Sequence, residues 1–243
     1  MFPLADENEP GHGLPWVTIG LIAVNIAVFL LLQQAGANNT FTYGFSAVPF
    51  EITHNVDLVG VQGGIPQAPG PDPIYFTLLS SMFMHGGWLH IGGNMLFLWI
   101  FGDNVEHRIG RLTYLVFYLV AGLVASLAQV AVSANSAIPS LGASGAISGV
   151  LGAYLVMFPG NRVTVFVFRF LTSVPAIVAI GMWAVLQFIN GLGSIAVSAE
   201  TSGGVAYMAH IGGFVVGLVA GLVFRSVFPG GRSRPQAMRS LRY

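Results

Sequence analysis

Gly142-Ala143-Ser144-Gly145-Ala146-Ile147-Ser148-Gly149 opens an apolar run that continues to Phe158 and stops at Pro159-Gly160. Its length is close to the ~20 residues that cross a bilayer as a helix. A hydroxyl set between glycines in such a run is ordinarily a packing residue. Three other apolar runs carry side chains that change this reading and make Ser144 a candidate nucleophile.

The composition sets the solvent. Of 243 residues, 54% are hydrophobic and only 7% are charged, where a water-soluble domain carries roughly a quarter. Repeated apolar runs of spanning length then indicate a helical membrane protein. There is no cysteine, which removes disulfides and thiolate chemistry. All nine basic residues are arginines, none before Arg108. They are scattered among apolar runs and a short tail, so a nucleic-acid surface is not expected.

Residues 1–14 read as a short cytoplasmic amino terminus with Asp6, Glu7 and Glu9, unlike an Arg-rich, acid-poor presequence. The first run, Trp16 to Leu32, is read as a retained anchor although Ala35-Gly36-Ala37 resembles a cleavage site. A long connection to about Met84 follows, rich in Pro, Gly and the aromatics Phe41, Tyr43, Phe45 and Phe50. Those aromatics suit a headgroup-level segment, and disorder is the alternative. Further runs are Trp88 to Phe101, Leu112 to Val132, Gly142 to Phe158, Val174 to Ile189 and Val205 to Phe228. Val163 to Leu171 is apolar but too short to cross, and reads as interfacial. Residues 229–243 read as a disordered basic tail. The expected fold is an all-α membrane protein, a six-transmembrane-helix bundle with a long first loop, occupying residues 15–228.

Six spans place both termini on one side. With the amino terminus cytoplasmic, Arg108, Arg111, Arg162, Arg169, Arg225 and the tail arginines all fall inside, as the positive-inside rule requires. The expected location is the inner (cell) membrane, multi-pass. The second, fourth and sixth spans then start on the external side, and they carry His85, His90 and Asn94; Ser144; and His210. At about 1.5 Å per residue these groups lie within roughly 10 Å of the external end of their spans. Polar groups at such depths face the bundle interior and mark function. His90 and Asn94, four apart, share a helix face. Gly145, Gly149 and Gly152 on one span, and Gly213, Gly217 and Gly221 on another, form small-residue faces that permit close approach, bringing Ser144 toward His210.

This set suits acyl transfer. His210 is the candidate base for Ser144, and the Ser144 backbone N–H, Asn94 and His90 are candidate oxyanion donors, with His85 as a neighbour. No carboxylate shares that depth, so the expectation is a Ser-His dyad with His210 oriented by packing. No His-Glu-x-x-His occurs, no metal site is expected, and Gly-x-Ser-x-Gly is not matched.

These residues resemble the rhomboid family of intramembrane serine proteases. Gly142-Ala143-Ser144-Gly145 is similar to that family's nucleophile motif, Ala209-His210-Ile211-Gly212-Gly213 to its base motif, and His85 with His90-Ile91-Gly92-Gly93-Asn94 to its oxyanion motif. The resemblance implies cleavage of single-span proteins in or near their transmembrane segment, without metal or cofactor. It also implies a first loop partly in the membrane and a fifth span that gates lateral substrate access. Two positions depart from many bacterial members: Ser148 stands where an aromatic residue stacks on the base, and the first loop has no Trp-Arg pair. Two rivals to a protease are a non-catalytic relative that binds or escorts transmembrane helices, and a small-solute transporter. The transporter is disfavoured because the polar groups cluster near one face and no pair of spans shows a matched break.

Overall fold

The computed structural model describes residues 2–8, 13–167, 169–196 and 206–229. Glu200, Val205 and the basic tail with its expected disorder lie outside them. In chain order the elements are β1 (Phe2–Asp6), α1 (Trp16–Ala27) with a π-turn to Leu32, α2 (Asn39–Gly44), α3 (Pro49–His54), β2 (Gly60–Gln62), β3 (Ile65–Gln67) and α4 (Thr77–Ser80). Then follow α5 (Trp88–Ile109), α6 (Arg111–Val132), α7 (Ser144–Met157), β4 (Arg162–Val167), β5 (Phe170–Pro175), α8 (Ala176–Ala196) and α9 (Tyr207–Val227).

Helices α1 and α5 to α9 form a bundle around α7. The core holds Leu98, Val105, Tyr114, Tyr118, Val150 and Tyr154. Outward faces are apolar too: Val116, Val120 and Leu127 on α6, Val185 and Ile189 on α8, and Val219 and Leu222 on α9 are all exposed. So wide an apolar surface suits lipid rather than water. Helices Arg111–Val132 and Tyr207–Val227 are long and apolar enough to cross a membrane, at mean hydropathies of 2.2 and 1.9.

The closest approach is between α7 and α9. A Cβ built on Gly213 would strike the carbonyl oxygen of Gly145, and one on Gly217 that of Gly149. Two α7 glycines leave room for α6, a Cβ on Gly145 lying 2.7 Å from Ala125 Cβ and one on Gly149 2.6 Å from Ala121 Cβ, whereas one on Gly152 would meet the Phe214 carbonyl of α9. So α9 rests on the backbone of α7 while α6 fills the space beside Gly145 and Gly149.

Two elements depart from the sequence reading. The structure is mostly helical rather than all-α, because most of Val163 to Leu171 is strand. It belongs to a hairpin, β4–β5, which β1 joins as an antiparallel strand. Along Arg162–Val167, Val163 and Val165 are buried while Arg162 and Phe166 are exposed, the period-two alternation of a half-buried strand. The second helix also continues past Phe101 to Ile109. Its polar end has distant partners: the buried Glu106 carboxylate accepts from Val17 N–H (3.0 Å), Thr18 N–H (2.8 Å) and Thr18 Oγ1 (2.8 Å), capping the first turn of α1.

Beside it, β1 is latched to the bundle through Asp6. Asn104 Nδ2 and Tyr154 OH both donate to Asp6 Oδ2, at 2.7 and 2.5 Å. Burial pushes the Asp6 carboxyl up to about 7; the Tyr154 hydrogen bond opposes this and nearby Asp103 adds to it. An undocked aspartate loses its proton near 4. Between about 4 and 7 the docked strand therefore holds more protons, and docking weakens as pH rises through that interval and levels off above it. A spin label on Leu4→Cys, a single site in a chain without cysteine, should show a several-fold larger mobile fraction at pH 8 than at pH 5.5. Asp6→Asn should remove the difference.

The long connection is ordered by short helices and a hairpin. Gln33, fully buried, grips the His85 backbone: its Nε2 donates to the His85 carbonyl (3.0 Å) and its Oε1 accepts the His85 N–H (2.9 Å). Ala47 and Ser140 exchange backbone hydrogen bonds of 3.0 and 2.8 Å, and Gln67 Nε2 donates to the Ala137 carbonyl at 2.7 Å. These bonds anchor the loop without a Trp-Arg pair.

Candidate active site

Three helices begin at one end of the bundle, and their first turns converge. Ser144 is the first residue of α7, where backbone N–H groups lack intrahelical acceptors. His210 lies in the first turn of α9. Its Nε2 stands 2.7 Å from Ser144 Oγ, the separation of a strong hydrogen bond. The glycine contacts one turn deeper, Gly213 on Gly145, bring the two helices close enough for it.

His210 Nδ1 lies 2.7 Å from Gln187 Oε1. An amide oxygen only accepts, so Nδ1 carries the imidazole proton and Nε2 is free to accept from Ser144. Gln187 was not among the residues singled out in the sequence, and it corrects the expectation that packing alone orients His210. The signal was present: Gln187 is a carboxamide within the apolar run Val174 to Ile189, where a polar side chain needs a partner. Trp183, one turn earlier on α8, has its ring centroid 6.2 Å from that of His210, and the Tyr207 ring is 6.4 Å away.

Ser148 does not reach His210. Its Oγ donates to the Ser144 carbonyl at 2.6 Å, a bond back along its own helix. Stacking on the base from this position is absent, and Gln187, Trp183 and Tyr207 surround the imidazole instead.

His90, exposed, and Asn94, buried, lie one turn apart on the same face of α5. His90 Nδ1 accepts from the Gly86 N–H at 3.2 Å, which leaves the proton on Nε2. A Cβ built on Gly142 would lie 2.8 Å from His90 Nε2 and 3.6 Å from Ser144 Oγ. A methyl there would collide with the imidazole nitrogen, so only glycine lets the backbone pass this close to His90 and Ser144. Gly142 also has φ of 129°, a left-handed backbone that favours glycine. Asn94 is buried and its Nδ2 has no partner among the described residues, although buried donors are nearly always paired. His85 stands behind this group. It is fully buried, packs edge-to-face on His90 at 5.1 Å, and its ring nitrogens have no partner among the described residues.

A cavity of about 390 Å³ joins these groups. Ser144, His210, His90 and Asn94 form its polar side, and Phe97, Leu151 and Trp183 its apolar side. Among the described residues, no carboxylate lines it. Among the described residues, no three His, Cys, Asp or Glu side chains are grouped to hold a metal ion.

The chain matches the family described as Rhomboid domain over residues 73–227. It is 33% identical to Rhomboid protease GluP of Bacillus subtilis over 210 residues, covering 86% of this chain and 35% of that protein. It is 33% identical to Rhomboid protein 1, mitochondrial, of Saccharomyces cerevisiae over 157 residues, 60% of this chain and 40% of that one. With the human Presenilin-associated rhomboid-like protein, mitochondrial, identity is 28% over 160 residues, 65% of this chain and 37% of that one. The chain thus spans between about a third and two fifths of the length of these relatives.

Proposed function

The chain belongs to the rhomboid family, and from that premise we propose that it is an intramembrane serine endopeptidase acting on single-span membrane proteins. The observation that carries the reading is the 2.7 Å contact between Ser144 Oγ and His210 Nε2 at the wall of a half-apolar cavity. The six helices of the bundle are its spans, both termini are cytoplasmic, and the cavity lies toward the external face of a cell membrane, the arrangement that keeps every arginine inside.

Catalysis runs through the dyad. A substrate helix unwinds locally, because a helical peptide bond keeps its carbonyl engaged. His210 Nε2 takes the proton of Ser144 Oγ as the oxygen attacks the carbonyl carbon, giving a tetrahedral oxyanion and an imidazolium. The oxyanion lies in the cavity that Ser144, His90 and Asn94 line together. His90 Nε2–H, the unpartnered Asn94 amide and the Ser144 backbone N–H donate to it. His85, wedged on the His90 ring, holds that imidazole in place. His210 then protonates the leaving amine. Water attacks the acyl-enzyme, giving its proton to His210, and Ser144 recovers its hydrogen as the acid departs.

A binding-only relative has no use for an activated serine. A serine-directed phosphonate is therefore expected to label the membrane-reconstituted protein at Ser144 alone, and His210→Ala to abolish labelling while the variant remains folded. An unlabelled wild-type protein, or equal labelling of His210→Ala, overturns the peptidase reading in favour of the helix-binding one.

A further inference from the structure

We infer that Gln187 is a positioning residue for His210, and that through it the competence of the dyad depends on α8 being seated against α9. The inference rests on the peptidase reading and adds to it a third member and the helix that controls it.

A histidine base that accepts a proton at Nε2 must carry its own proton at Nδ1, and rotation about its side-chain bonds must be checked. A soluble triad does both with a carboxylate. Here the atom opposite Nδ1 is Gln187 Oε1, at 2.7 Å. A neutral amide oxygen selects the same tautomer as a carboxylate, without placing a charge in an apolar bundle, where an unpaired charge is costly. It stabilises the imidazolium less than a carboxylate, so its work is chiefly orientation.

The placement on α8 matters as much as the bond. Trp183, Gln187 and Gly191 follow at four-residue spacing, hence on one face, and all three meet α9. The Trp183 ring lies 5.8 Å from the Phe214 ring, and Gln187 holds His210. A Cβ on Gly191 would lie 2.6 Å from Met208 Cε and 2.8 Å from Ile211 Cδ1. Trp183 is also a wall of the cavity. A displacement of α8 that widens the cavity therefore also draws the acceptor away from His210 Nδ1. The dyad is fully set only when α8 has returned, which couples substrate seating to readiness of the base.

The test compares Gln187→Leu, of similar size but without an acceptor, with Gln187→Glu, which keeps one, in the reconstituted full chain. Both are measured for cleavage of a single-span substrate and for phosphonate labelling of Ser144. Leu is expected to lower kcat and the labelling rate together by about 10- to 100-fold, the range seen when the partner orienting a metal-bound imidazole is removed, with KM within about twofold. Glu is expected to stay within about threefold of wild type. Gln187→Met, whose side chain adapts its packing, repeats the test if Leu does not fold. Wild-type kcat in Leu or Met, a loss confined to KM, or equal impairment of Leu and Glu overturns the inference. Failure of the wild-type chain to cleave overturns the peptidase reading and this inference with it, whereas wild-type cleavage untouched by Leu overturns this inference alone.

Discussion

Ser144→Ala and His210→Ala are each expected to abolish cleavage of a reconstituted single-span substrate, with losses on the order of 10⁴-fold or more. Groups that act as one unit lose nearly everything when either is removed, and the 2.7 Å contact makes these two a unit. The double variant should therefore be no worse than either single one. Asn94→Ala is a different case. It removes one of three donors aimed at the same oxygen, and its expected cost is about 10²- to 10³-fold in kcat with KM little changed. The contrast carries the information, because a general loss of folding would not sort the variants this way. Thermal unfolding of the Ser144→Ala protein should match wild type, since a half-buried serine trimmed to alanine opens no cavity of consequence. Undiminished cleavage by Ser144→Ala would end the assignment of the nucleophile.

Some of this geometry is legible in the sequence because its causes are local. Apolar runs fix where helices start. Arginine placement assigns their ends to two sides, and the side chains in the first turns then share a depth. That arithmetic alone puts Ser144, His210, His90 and Asn94 at one end of the bundle. What it misses depends on partners far away in the chain. Glu106 looks like the polar end of a span until Val17 and Thr18, 89 and 88 residues earlier, are found donating to it. Asn104 reads as part of the same polar end until Asp6 is found on its amide. The β4 strand carries an alternating signal, Arg162-Val163-Thr164-Val165-Phe166-Val167, but a short apolar stretch between membrane helices invites judgement by length before period. Gln187 escapes for a further reason: a carboxamide in mid-span has many uses, and only the position of His210 Nδ1 distinguishes orientation of a base from interhelical glue.

Gly213→Val is expected to cost more stability than a typical core overpacking and to disconnect the dyad without touching a reacting group. The added Cβ falls on the carbonyl oxygen of Gly145, and a backbone atom inside a helix has no rotamer into which to retreat. Overpacking that side chains can absorb costs about 1–3 kcal/mol, so a clash with backbone should exceed the upper end of that range. Relief requires α9 to move away from α7, and His210 sits one turn before Gly213 on the helix that moves. A hydrogen bond at 2.7 Å does not survive a displacement of even about 1 Å without weakening severely. Phosphonate labelling of Ser144 should thus fall at least as far as stability does, even at temperatures where the variant remains folded. Gly217→Val meets the Gly149 carbonyl in the same way, but two turns from His210, and should cost similar stability with a smaller loss of labelling. Gly20→Ala on α1 is the control, because its Cβ has nothing within 4 Å, and a helix gains about 0.5–1 kcal/mol from that change. If Gly213→Val unfolds the protein no more readily than Gly20→Ala, and still labels at Ser144, then the glycine contact is not what holds serine and imidazole together.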